Sequence, residues 1–190
     1  EHDNTVLIEK FIPGREFRIF IINDEVVGIL HRVPANVTGD GVLNIGQLID
    51  RKNEDPLRGK GYRTPLEKIR KGREEEMFLK QQGMDFNTVP KEGEVVYLRE
   101  NSNISTGGDS IDFTDDIDDS YKAIAVEAAK ALNVKITGLD MMIQDIHAPA
   151  TPDNYAIIEM NFNPAIHIHC YPFKGKNRHL NHKMIRALGF

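Results

Sequence analysis

Residues 155–164 read Tyr-Ala-Ile-Ile-Glu-Met-Asn-Phe-Asn-Pro. Residues suited to the interior of a sheet run directly into a Glu and an Asn two positions apart. Side chains repeat every second residue on one face of a strand. Glu159 and Asn161 therefore share a face at the end of a strand whose start is apolar. A carboxylate and an amide oxygen side by side are hard ligands of the kind that hold Mg²⁺. A strand that merely turns polar as it surfaces would read the same way. The choice turns on whether a second acidic strand lies beside this one.

Upstream, residues 135–143 (KITGLDMMI) form an apolar run that carries one acidic residue, Asp140. The loop between the two runs is short enough for adjacent antiparallel strands. A buried charge without a partner is costly, and carboxylates placed together call for a cation or a shared proton. Asp140, Glu159 and Asn161 are thus candidate ligands for one or two Mg²⁺, with positions left over for phosphate oxygens. The alternative is a buried Asp held by backbone amides.

The rest of the chain supplies elements for such a sheet. Residues 5–12 (TVLIEKFI) read as a strand ended by Pro13-Gly14, and their backbone could serve an adenine edge. Residues 17–22 and 25–33 read as further strands joined by the Asn23-Asp24 turn, which together suggest an antiparallel meander. Residues 44–53 carry Ile45, Leu48 and Ile49 at helical spacing. Thr64-Pro65-Leu66-Glu67 has the form of a helix start, with a capping Thr, Pro at the first position and Glu at the third. A helix over 74–82 is closed by Gly83, and the charge run over 70–76 reads as a solvated face. After a short strand at 95–98, Arg99 opens a polar, Gly-rich loop through residue 110, too polar for a core element. Arg donates bidentately to carboxylate or phosphate, and small residues let backbone N–H groups approach an anion. By itself this loop reads as solvated; it lacks the ending of a Walker A loop. Asp118 or Asp119 caps a helix with apolar residues at Tyr121, Ile124, Ala125, Ala128, Ala129 and Leu132, a one-face pattern. Residues 178–188 form a terminal helix. His167, His169 and Cys170 could suggest a transition metal, but no spaced partner pair follows, and Cys170 reads better as a small buried residue.

Composition narrows the function classes. The 190 residues are 40% hydrophobic and 28% charged, with a net charge of −5. That is ordinary globular usage, long enough to bury a core, and it argues against a dedicated nucleic-acid binder. No apolar run approaches a membrane span and no signal peptide is visible. One cysteine excludes an internal disulfide framework and fits a reducing, cytoplasmic setting. The chain begins at Glu1, with a strand expected a few residues later, as in a piece of a longer polypeptide.

The order of "VLIEKFIPGREFR", "HRVPANVTGDG", "YLRENSNISTGGDSID", "TGLDMMI" and "IIEMNFNPAIHIH" resembles the C-terminal part of an ATP-grasp ligase. Within that superfamily it is most similar to the glutathione-synthetase module of bacterial bifunctional glutamate–cysteine ligase/glutathione synthetases, with cyanophycin synthetase as a close relative. The resemblance implies an α+β fold, a mostly antiparallel sheet flanked by helices. It implies that Glu9, Phe11 and Ile12 lie on the hinge strand against adenine, that Glu16 binds ribose, and that Ile158 forms an apolar floor under the base. It assigns Asp140, Glu159 and Asn161 to Mg²⁺ (or Mn²⁺), Arg99 to the transferred phosphoryl group, and Arg32, as a catalytic residue, to the phosphate and substrate region. Asn101 and Asn163 fall to the phosphate and substrate region. The implied reaction joins γ-glutamylcysteine and glycine through an acyl-phosphate made from ATP. Its implied partners are these small molecules and the N-terminal remainder of the same polypeptide, and it allows a homodimer; neither nucleic acid nor membrane enters. A cyanophycin-type amino-acid ligase and a non-catalytic nucleotide-binding remnant are the alternatives. The family's small glycine-rich lobe and the upstream ligase module would both precede Thr5. The expectation is that residues 1–190 hold one face of the ATP cleft and are inactive alone.

Overall fold

The structure is a computed structural model, and it describes residue 8 and residues 10–190. Half of the strand expected over 5–12, including Glu9, lies outside the described residues; residues 8 and 10–12 are in no regular element. The elements in chain order are β1 Arg15–Ile22, β2 Glu25–Val33, β3 Asn36–Thr38, α1 Ile45–Lys52, β4 Arg58–Gly59, β5 Leu66–Glu67, α2 Arg73–Gln81, β6 Val95–Tyr97, a 3₁₀ turn at Ile104–Thr106, β7 Asp109–Asp112, α3 Asp119–Ala131, β8 Ile136–Ile143, β9 Tyr155–Asn161, α4 His167–Cys170 and α5 Leu180–Ala187. The fold is α+β, as expected.

A five-stranded sheet in the order β7-β2-β1-β8-β9 organises the chain, every neighbouring pair antiparallel. The β1–β2 hairpin turns on Asn23 and Asp24, whose φ angles of 47° and 65° are both left-handed. That is the backbone a two-residue turn needs to match the twist of its strands, and Asn and Asp tolerate it better than other side-chain-bearing residues. The meander does not continue in sequence order: β8 takes the other side of β1.

The two faces of the sheet differ, and the alternation in β1 shows how. Phe17, Ile19 and Ile21 join Ile29, Leu139, Met141 and Ile143 in a core packed against Tyr121, Ala125 and Ala129 of α3. Asp118 caps α3 by accepting the Ser120 N–H at 2.9 Å. On the opposite face Phe20 and Ile22 pack with Val27, Cys170 and Leu180 beneath α4 and α5. Further along that face the side chains are Glu16 and Arg18, so it is apolar at one end and charged at the other.

A second apolar cluster, with Val37, Ile45, Leu48, Ile49, Leu79, Val96 and Leu98, holds β3, β6, α1 and α2 together. Asn44 begins α1 with a capping box, exchanging backbone and side-chain bonds with Gln47 at 2.8 and 3.0 Å.

Three expectations are corrected. Thr64-Pro65-Leu66-Glu67 starts no helix; it leads into β5, which pairs parallel with β4. The Thr64 hydroxyl donates to the Leu66 carbonyl at 3.1 Å, so it caps nothing, and Leu66 is fully buried. Within the loop over 99–110 and just beyond it, β7 is a sheet strand with Asp109, Ser110 and Asp112 all buried. The charge run at 70–76 is not wholly solvated, since Glu75 is 1% exposed.

Candidate functional site

The site is built on the charged end of the sheet. Register sets Arg18 of β1 opposite Asp140 of β8, and Asp140 opposite Glu159 of β9. Directly opposed residues of an antiparallel pair have neighbouring side chains on one face. Arg18 grips Asp140 with two donors, Nε to Oδ1 and Nη2 to Oδ2, the latter at 2.7 Å. Arg32 of β2 donates Nη2 to the same Oδ2 at 2.8 Å. Arg32 also pairs with Glu16, and Glu16 accepts the Ser102 hydroxyl. Asp140 is 1% exposed. Two guanidinium groups on one carboxylate explain how an apolar strand carries a buried charge. The backbone-amide alternative for Asp140 is not what the side chain adopts. Arg18 was missed in the sequence because its role depends on a pairing between strands more than a hundred residues apart, |i−j| = 122.

Glu159 is exposed and half-tied: Asn161 Nδ2 donates to its Oε1 at 3.0 Å. That leaves Glu159 Oε2 and Asn161 Oδ1 as oxygen donors beside Asp140. All three candidates offer hard oxygen, which fits Mg²⁺ or Mn²⁺ in chemistry. Among the described residues no group of three or more His, Cys, Asp or Glu gathers in a metal-holding arrangement. Both oxygens of Asp140 face guanidinium groups. Ile158 is the unpaired residue where the β8–β9 register shifts, and it is 54% exposed. Gly138 pairs with Asn161; a Cβ there would meet Pro164 Cβ at 2.8 Å and Arg18 Cδ at 2.9 Å. The absence of a side chain at Gly138 lets the Arg18 stem reach Asp140.

A cleft of about 530 Å³ opens beside this network, lined by Glu16, Arg32, Tyr97, Arg99, Ser102 and Met142 among others. Arg99 donates Nε to Glu75 Oε1 at 2.6 Å and also pairs with Glu74. The other oxygen of Glu75 accepts the Gly72 N–H at 2.9 Å, at the start of α2. One buried carboxylate thus caps a helix and aims an arginine. His31, also in the cleft wall, has its pKa lowered to about 4 by burial and then by Arg15, so it is neutral at pH 7. Asn101 is exposed and orders its own loop, accepting the Thr106 hydroxyl at 2.9 Å. Asn163 is exposed after β9, Phe11 is 86% exposed, and Ile12 is half-buried.

The Gly-rich loop is anchored from behind. Asp109 pairs with Arg58 and, at 2.7 Å, with Lys52. Arg58 Nη1 donates to the Glu67 carbonyl at 2.8 Å and the Gly107 carbonyl at 3.1 Å. Gly107 has φ 96°, and a Cβ there would lie 2.8 Å from Ile69 Cα. These contacts fix the loop after Arg99 even though its surface is polar. His169 and Cys170, considered for a transition metal, are buried beside Phe20; neither ring nitrogen of His169 has a hydrogen-bond partner among the described residues, and Cys170 Sγ lies 3.7 Å from Asn181 Oδ1.

No family model matches the chain. It is 65% identical over 190 residues to the glutathione biosynthesis bifunctional protein GshAB of Desulfotalea psychrophila, covering 100% of this chain and 24% of that protein. It is 59% identical over 186 residues to the protein of the same name from Clostridium perfringens, covering 98% of this chain and again 24% of the relative. The crystal structure of a bifunctional glutathione synthetase from Pasteurella multocida superposes with a TM-score of 0.84 at 46% identity, over 94% of this chain and 25% of that one. The chain therefore spans about a quarter of the length of the curated relatives it matches.

Proposed function

Since this chain belongs to the ATP-grasp superfamily and is similar along its length to a part of bifunctional glutathione biosynthesis proteins, we propose that it forms one wall of an ATP-dependent carboxylate–amine ligase. The substrates proposed are γ-glutamylcysteine and glycine, and the product is glutathione. The observation that carries the reading is the row Arg18–Asp140–Glu159 on one sheet face, continuous through Arg32 with the cleft at Glu16 and Arg99.

In the reaction a carboxylate oxygen of the peptide attacks the γ-phosphorus of ATP and ADP leaves. The amine nitrogen then attacks the acyl carbon, the carbon–oxygen bond to phosphate breaks, and the amine gives up a proton as the amide forms. Little covalent chemistry falls to the protein; positioning and charge neutralisation dominate. Arg32 and Arg99 are proposed to hold the phosphoryl oxygens, each already oriented by a carboxylate, Glu16 and Asp140 for Arg32 and Glu75 for Arg99. Asp140, Glu159 and Asn161 are proposed to hold Mg²⁺ or Mn²⁺. When bound, such a cation neutralises charge between phosphate oxygens. Glu16 is proposed to hold the ribose, with Glu9, Phe11, Ile12 and Ile158 around the base and Asn101 and Asn163 toward the substrates. The chain works, on this reading, in the cytoplasm and within a longer polypeptide that supplies the opposite wall of the cleft.

The test is ADP release by the full-length protein. It should require γ-glutamylcysteine and glycine together, and Glu159→Ala should abolish it. Release with aspartate or arginine in place of glycine would point to a cyanophycin-type ligase. Tight ATP binding without ADP release under any acceptor would leave a non-catalytic nucleotide binder.

A further inference from the structure

A second, smaller pocket of about 190 Å³ borders the charged row. It is lined by Arg18, Arg32, Tyr62, Ser105, His167 and Ile168 among others. Arg32 lines this pocket and the larger cleft alike, so the two meet at the guanidinium proposed to hold the phosphoryl group. Among the described residues the buried Arg32 Nε has no hydrogen-bond partner, and a buried unpaired donor is a cost that a ligand acceptor would remove. His167, half-buried, has its pKa lowered by burial and offers a neutral imidazole in the same wall. Cationic donors and a neutral base in one small space suit the carboxylate and amine of an amino acid. The volume of about 190 Å³ admits a small amino acid.

Tyr62 closes this pocket in a way its local backbone does not favour. Gly61 and Tyr62 have φ angles of 68° and 57°, two left-handed residues in succession. A tyrosine in that region is uncommon and strained. The turn is held by Glu67, a residue only 9% exposed, which accepts the Tyr62 N–H at 2.5 Å and the Gly61 N–H at 3.2 Å. Glu67 is fixed in turn by β5 and by Arg58 on its carbonyl. The Tyr62 ring lines the pocket while 73% exposed, so it stands at the open side. Nothing in the packing of the core requires an aromatic ring there.

We propose that Tyr62 is a specificity-determining residue: it walls a subsite for a small α-amino acid acceptor beside Arg18 and Arg32, and Glu67 positions it. This rests on the ligase reading above and adds to it a reason for preferring glycine over a bulkier acceptor. A pocket that discriminates one methyl group from none does so by about 10–200-fold.

The test measures ADP release by the full-length protein at saturating ATP and γ-glutamylcysteine, with glycine, alanine and serine as acceptors. Tyr62→Ala should raise the glycine KM and raise the alanine-to-glycine ratio of kcat/KM about tenfold or more. Tyr62→Phe keeps the ring and should keep the wild-type ratio. Glu67→Gln should shift the ratio in the same direction as Tyr62→Ala, a result that loss of stability alone would not produce. An unchanged acceptor ratio in an active Tyr62→Ala enzyme overturns this inference and leaves the ligase reading intact. Absence of ADP release by the wild type with every acceptor overturns the ligase reading and this inference with it.

Discussion

Asp140 sits directly opposite Arg18 in the β1–β8 pair, and their side chains meet through two donors with only 2% and 9% of their surfaces exposed. Arg32 adds a third donor from β2. A carboxylate so enclosed cannot be removed without stranding the Arg18 guanidinium and taking one of the two carboxylate partners of Arg32. Asp140→Ala is expected to cost about 3–5 kcal/mol, the usual penalty for breaking one side of a buried pair. Urea midpoints at constant slope measure it. Replacing both partners, Arg18→Met with Asp140→Leu, should recover much of the loss in stability while leaving the site without its carboxylate. A loss below about 1 kcal/mol for Asp140→Ala would mean the pair behaves like a solvated surface ion pair.

Glu75 and Glu74 adjoin in sequence and both touch Arg99, yet their side chains are 1% and 68% exposed. Glu75 also caps α2. Glu75→Gln should therefore destabilise by about 1–3 kcal/mol, whereas Glu74→Gln should stay within about 0.5 kcal/mol. If Arg99 serves the phosphoryl group as proposed, Glu75→Gln should also lower kcat in the full-length protein. Equal effects from the two substitutions would remove Glu75 as the residue that aims Arg99.

The β1–β2 turn places Asn23 and Asp24 in the left-handed region. Glycine adopts that backbone without steric cost, while a β-branched residue meets a penalty of about 1–2 kcal/mol. Asp24→Gly is expected to stabilise by roughly 0.5 kcal/mol and Asn23→Val to destabilise by more than 1 kcal/mol. Thermal melts of the two variants should move in opposite directions.

What the sequence makes legible follows from how far each signal reaches. Local chemistry reads well: the Asn23-Asp24 turn, the cap at Asp118 and the one-face pattern of α3 all appear where residue types predict them. The Asp140–Glu159 pairing was legible because both strands are apolar and the loop between them is short. Long-range compensation is not legible. Residues 109–112 look too polar for a sheet until Arg58, Lys52 and Arg178 are seen to satisfy Asp109 and Asp112. Glu75 looks like part of a solvated charge run until Arg99 arrives from twenty-four residues away, |i−j| = 24. Thr64-Pro65 has the residue types of a helix start, but the buried Leu66 and the parallel pairing with β4 override them. Asp140, Glu159 and Asn161 are legible from strand alternation and the remaining candidates from motif order, whereas the roles of Arg18, Glu67 and Tyr62 emerge only from register and packing.

His169 supplies a prediction on pH. The ring is completely buried, lies edge-on to Phe20 at 5.4 Å, and finds no hydrogen-bond partner for either nitrogen among the described residues. Burial, reinforced by Arg18 and His167 and opposed by Asp112, lowers its pKa to about 3. In the unfolded chain the value returns to about 6.5. Between those limits the unfolded state binds a proton that the folded state refuses, so stability is full above pH 6.5 and is lost as pH falls toward 3. His31, lowered to about 4, acts in the same direction over the upper part of that range. Each histidine should cost about 2 kcal/mol between pH 7 and pH 5. His169→Leu removes one of the two titrations, and its urea midpoint should fall about half as steeply over that interval as the wild type's. An unchanged slope would mean that His169 gains a proton partner or solvent in the folded protein. A neutral histidine sealed beneath Phe20 cannot produce that result, because protonating it requires opening the packing between α4 and the sheet.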